Sequence, residues 1–92
     1  MNEGEARSLV VAALNDAASV FNDAGVSDRL RSPNGDVTIE ELNLDSLDMV
    51  EWTMQMEVRT GLIVDPAELA GAVNLSDVVQ VIAAKLNARD GQ

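Results

Sequence analysis

Three stretches of this 92-residue chain set apolar residues three and four apart, the period that gives a helix one buried face. Leu9, Val10, Ala13, Leu14, Ala17, Ala18 and Phe21 form the first stripe. It predicts a helix from about Glu5 to Asn22, with Gly25 just past its end. Leu75, Val78, Val79, Ile82, Ala83 and Leu86 form the last, predicting a helix from Leu75 to about Asn87. Between them, Asp45 to Thr60 reads as a third. The chain is long enough for one domain, so the helices must share one interior. The expected fold class is all-α, a single domain over residues 1–92 with frayed termini at about 1–4 and 88–92.

Local signals set the boundaries. Asp45 can cap the middle helix, with Asp48 three residues on to close a capping box. Leu44 and Met49 stand at staple spacing, and Gly61 can stop the helix. Asp65 and Pro66 predict a short helical turn to Ala70, ended by Gly71. Asn74 caps the last helix and Asp77 can return the bond, with Val73 and Val78 at staple spacing. Asp23 to Leu44 is weakly patterned and reads as a long crossing loop, with a turn at Ser32-Pro33-Asn34-Gly35. Ile39, Leu42 and Leu44 would pin it to the core. The pattern allows a brief Val37-Thr38-Ile39 strand, but no neighbour for it is evident.

Composition removes several kinds of chemistry. The chain has no cysteine, hence no disulfide, thiolate metal site or cysteine nucleophile. It also has no histidine, so neither a Ser-His-Asp nor a Cys-His arrangement can form, and the commonest neutral metal ligand is missing. We expect no metal site. With 16 acidic and 6 basic residues the net charge is -10, which repels nucleic acid and anionic membranes and attracts partners with basic patches. Seven acids and no base lie between Asp36 and Glu57. The acidic start does not resemble an export signal, and no apolar run approaches a membrane span. A cytoplasmic monomer is expected.

Ser46 falls on the first residue of the middle helix. There, unpaired amides and the positive end of the helix dipole face outward, suiting a phosphate. By itself this also describes an ordinary serine at a helix start. Nothing nearby can activate its hydroxyl, so any chemistry on Ser46 must be done by another protein, and a hydrolase is not expected. The helix itself is apolar around much of its circumference. Trp52, Met56 and Met49 suit the core, while Leu47, Val50, Met54 and Val58 form a second strip edged by Asp48, Glu51 and Glu57. Such a strip fits either an exposed, adaptable docking surface or a central helix with neighbours on both sides.

Leu42-Asn43-Leu44-Asp45-Ser46-Leu47-Asp48-Met49-Val50-Glu51 resembles the signature of acyl carrier proteins of fatty acid and polyketide synthesis. The likeness extends through Glu57 to Asn74-Leu75-Ser76-Asp77-Val78-Val79 and covers nearly the whole chain. It implies a four-helix bundle with three main helices, a short third helix and a long first loop. It implies that Ser46 receives 4'-phosphopantetheine from coenzyme A, through a separate magnesium-dependent phosphopantetheinyl transferase. The cofactor's thiol would then carry acyl groups as thioesters to enzymes with basic docking patches. On the same grounds Leu47, Val50 and Met54 would meet partners through apolar contact, and Asp45, Asp48, Glu51 and Glu57 through charge. Trp52 and Met56 would face the core and line an acyl cavity.

Several residues depart from the common pattern. Trp52 stands where leucine is common, and Thr60 where a buried aromatic or aliphatic residue is. Val58-Arg59 replaces an acidic pair common in fatty acid carriers. The Gly-Gly-x-Ser site of peptidyl carriers is absent. These departures favour a specialised carrier of polyketide or related antibiotic and natural-product biosynthesis over a housekeeping fatty acid carrier. A carrier-like interaction module that never takes the cofactor is the competing reading.

Overall fold

The computed structural model describes residues 3–32 and 35–90. Its elements are α1 (Glu3–Ala18), a 3-10 turn (Val20–Asn22), α2 (Ala24–Arg31), a second 3-10 turn (Glu40–Leu42), α3 (Ser46–Thr60), α4 (Pro66–Leu69) and α5 (Leu75–Asp90). The fold is all-α, as the periodicity requires.

The core is the sum of the three stripes. Val10, Ala13 and Leu14 of α1, Trp52 and Met56 of α3, and Leu75, Val78, Ile82 and Leu86 of α5 are fully buried. Helix α1 lies against both α3 and α5. Trp52 is the largest side chain in this interior. Its indole Nε1–H donates to the Val10 carbonyl at 3.2 Å, so the ring's one polar group is satisfied where water cannot reach.

The first helix and loop differ from expectation. Helix α1 ends at Ala18, because Ser19 adopts a left-handed conformation (φ 53°), although the apolar pattern continues through Val20 and Phe21. Most of the first third of the expected loop is then the helix α2, with Gly25 inside it rather than past a helix end. Asp23 caps α2 by accepting from the Val26 amide at 3.2 Å. Only Val26, Ser27 and Leu30 are buried on it, too narrow a stripe to stand out in the sequence. The Arg7 guanidinium of α1 donates to the carbonyls of Leu30 and Ser32 and satisfies the far end. Gly35 passes so close to Arg29 that an added Cβ would lie 1.9 Å from its carbonyl oxygen. Pro33 and Asn34 of the expected turn lie outside the described residues, as do Met1, Asn2, Gly91 and Gln92 of the expected frayed ends.

The short extended piece does have a neighbour. Thr38 forms an isolated antiparallel bridge with Asn74, flanked by the bonds Ile39 N–H to Val73 O and Leu75 N–H to Val37 O, both 2.8 Å. Asp36 adds a second tie, accepting from the Ser76 amide at 3.1 Å and the Ser76 hydroxyl at 2.8 Å. Asp77 returns the expected bond at the start of α5, accepting from the amides of Asn74 (3.0 Å) and Val73 (2.9 Å). Val78 is buried, but Val73 is left 64% exposed rather than stapled down. Helix α5 continues to Asp90, three residues past its expected end. No described helix is long and apolar enough to cross a membrane.

Two predictions follow from this packing. Trp52→Ala should destabilise the fold by about 3–5 kcal/mol in urea unfolding, and the native tryptophan emission should be blue-shifted. The amides of Asn74 and Val73 hold the Asp77 carboxyl below its usual pKa. Its charge therefore stabilises the fold above the ordinary carboxylate range and stops doing so as pH falls through the lowered value. The melting-temperature gap between wild type and Asp77→Ala should be widest above about pH 5 and shrink in acid.

Candidate functional site

The site is built at the start of α3. Asn43 (φ 55°) closes the preceding 3-10 turn, and Leu44, half-buried against the core, brings the chain into the helix. The Asp45 carboxylate accepts from the Asp48 amide at 2.8 Å, and the Asp48 carboxylate accepts from the Asp45 amide at 3.3 Å. This is the expected reciprocal box. With Met49 half-buried beside Leu44 on the core, it fixes where the helix begins.

That start puts Ser46 on the first turn, exposed to solvent. Its hydroxyl has no hydrogen-bond partner among the described residues, and neither do the amides of Ser46 and Leu47. The other serines are placed differently. Ser27 is buried, Ser8 bonds to the Gly4 carbonyl and Ser76 to Asp36. Ser19 precedes a three-residue turn, and Ser32 follows the end of α2. Ser46 is thus the exposed serine with a free hydroxyl at the mouth of a full helix, where two unpaired amides can receive an anion.

Helix α3 divides as its two apolar faces suggest. Trp52 and Met56 are fully buried, with Thr53 and Thr60 beside them. Leu47, Val50, Met54 and Val58 are 68%, 44%, 51% and 79% exposed, so the strip opens to solvent and is not covered by a neighbour. Asp45 is exposed, while Asp48 and Glu51 are half-exposed along its edge. A groove of about 450 Å³ opens on the other side of Asp48, between residues 18–26 and 41–48. Neither Trp52 nor Met56, the expected lining of an acyl cavity, contributes to it.

Glu57 and Thr60 have roles that helix periodicity did not show. Glu57 Oε2 accepts from the Val64 amide at 2.8 Å, across the loop that follows α3. Thr60 is buried with its hydroxyl satisfied: it donates to Met56 O and accepts from the Leu62 amide. The bonds to the Leu62 and Val64 amides depend on the left-handed turn at Gly61 (φ 73°), which folds the loop back over the helix end. No cluster of acidic side chains that could hold a metal ion occurs among the described residues.

Compared with known families, residues 24–82 match the phosphopantetheine attachment site family. The chain belongs to that family. The match covers more than half of the chain and includes the acyl-carrier signature around Ser46. Members of the family are carriers that take 4'-phosphopantetheine covalently, and they work through a phosphopantetheinyl transferase and the enzymes of a pathway. Comparison with curated proteins gave no significant match, and neither did comparison with solved structures.

The bond made by Glu57 is open to a direct check. Glu57→Ala should speed hydrogen exchange at the Val64 amide and cost about 1 kcal/mol, while exchange in the α1 core stays slow.

Proposed function

We propose that this chain is an acyl carrier protein whose 4'-phosphopantetheine is attached to the Ser46 hydroxyl. The observation that carries the reading is the unbonded Ser46 hydroxyl at the open start of α3, inside the matched family region. The local residues fit the group. The free amides of Ser46 and Leu47 suit its phosphate. The carboxylates of Asp45 and Asp48 are engaged with each other's backbone, which turns them back on the helix start. When bound, the cofactor supplies a thiol that carries acyl groups as thioesters.

The remaining residues act as tether and address. With no histidine or cysteine, the chain has nothing to deprotonate Ser46, so the transferase must supply the base and the protein acts as its substrate. The exposed strip of Leu47, Val50 and Met54 offers apolar contact to a visiting enzyme. Asp45, Asp48 and Glu51 surround it with negative charge that draws basic partner surfaces. Each such pair is weak in water, so docking is fast and reversible. The cargo then meets the docked enzyme at high local concentration. The net charge of -10 opposes self-association, supporting a monomer, and the absence of cysteine suits the cytoplasm.

We further propose a specialised pathway, of polyketide or related natural-product type, rather than housekeeping fatty acid synthesis. The support lies in the departures. Trp52 fills the core at full burial, Thr60 replaces an apolar anchor, and Val58-Arg59 removes an acidic pair from the end of α3.

Incubation with coenzyme A, magnesium and a broad-specificity phosphopantetheinyl transferase should raise the intact mass by about 340 Da, the mass of the transferred group. The gain should be absent in Ser46→Ala. A folded wild-type chain that gains no mass would contradict the proposal and favour an unmodified interaction module.

A further inference from the structure

The exposed strip on α3 is uniform in hydrophobicity but not in charge. Asp45 through Trp52 carries three acids and no base; Thr53 through Thr60 carries one of each. The structure sharpens this contrast. In the first half, the Glu51 carboxylate has no partner among the described residues and stands beside Val50. In the second half, Glu57 is bonded inward to the Val64 amide. Arg59 is held by an ion pair with Asp16 of α1 and donates to Gln55 at 2.8 Å. Glu57 is thus turned toward the loop and the Arg59 charge is met by Asp16, beside Val58, the most exposed member of the strip at 79%.

A second exposed apolar side chain lies at the loop end of the Glu57–Val64 bond. Ile63 is 83% exposed, and it precedes Val64 as Val58 follows Glu57, so the two flank the same Glu57–Val64 bond. This exposure does not come from a loose loop. Arg89 donates to the Thr60 carbonyl and Lys85 to the Ile63 carbonyl, while Val64 is sealed in the core. Three ties to the rest of the fold therefore hold Ile63 outward.

We infer that enzymes acting on this carrier cover the whole strip, placing basic residues at its Ser46 end only and apolar surface over Val58 and Ile63. The inference rests on the carrier reading. A second copy is a poor occupant, since it would bring a net charge of -10 against the same charge. A partner whose basic residues continued along the helix would meet the like charge of Arg59 there, with the Glu57 carboxylate turned toward the loop, at an electrostatic and desolvation cost. The fifteen residues of α3 span about 22 Å, within reach of an ordinary interface of roughly 800 Å² per partner. The far end of α3 would then select partners by shape and hydrophobicity while the near end steers them by charge.

The test measures loading by a phosphopantetheinyl transferase as kcat and KM over a salt series. Val58→Glu and Ile63→Glu should each raise KM roughly five- to tenfold, and Val58→Ser should raise it with an unchanged salt slope. Glu51→Gln should raise KM and flatten the slope. A fall in KM, or no change, in the two glutamate variants would overturn the split surface while leaving the carrier reading intact. Failure of the wild type to load would overturn both. Circular dichroism melts of each variant separate a docking effect from loss of fold.

Discussion

Helix α3 has more apolar surface than a domain of this size can bury. Packing against α1 takes up one face, and the Trp52–Val10 bond fixes which one. Once Trp52 and Met56 are inside, Leu47, Val50, Met54 and Val58 must be outside, because they stand on the opposite side of the same helix. The rotation that buries the tryptophan thus also creates the exposed strip. With the reciprocal box of Asp45 and Asp48 setting where the helix begins, it leaves the Ser46 hydroxyl facing solvent.

The cations act mostly as internal ties. Arg7 closes α2, Arg29 pairs with Glu41 at 2.6 Å, Arg59 reaches Asp16, Lys85 meets Glu68 at 2.9 Å, and Arg89 holds Thr60. These basic residues are therefore occupied in joining elements to one another. Individually these exposed pairs contribute little to stability. Their larger effect is on the surface: the protein is left with an acidic exterior around the Ser46 end of α3. A carrier that must attract several enzymes and release each one benefits from long-range attraction of this kind without strong local bonds.

Much of this was legible in the sequence because the signals are local. The capping box, the Gly61 stop, Pro66 after Asp65, and the two faces of α3 all follow from residues within one or two turns of each other. Helix α2 was missed because its buried stripe is only Val26, Ser27 and Leu30, and because Val20 and Phe21 continue the pattern of α1 past its true end at Ser19. The bridge between Thr38 and Asn74, and the Asp36–Ser76 tie, join segments about 40 residues apart, and a single sequence gives no register for such a pairing. The resemblance places Glu57 with Asp45, Asp48 and Glu51 among the acids that meet partners, and does not show its inward bond. Its bond to Val64 depends on the loop turning back at Gly61, a tertiary fact that helical periodicity does not contain.

The central claim is that Ser46 is where the cofactor is held. Fragmentation mass spectrometry of the protein isolated from the cells that make it tests this most directly. The account predicts a phosphopantetheine group on the peptide containing Leu44 to Met49, localised to Ser46. Finding the group on Ser8, Ser19, Ser32 or Ser76 instead would contradict it.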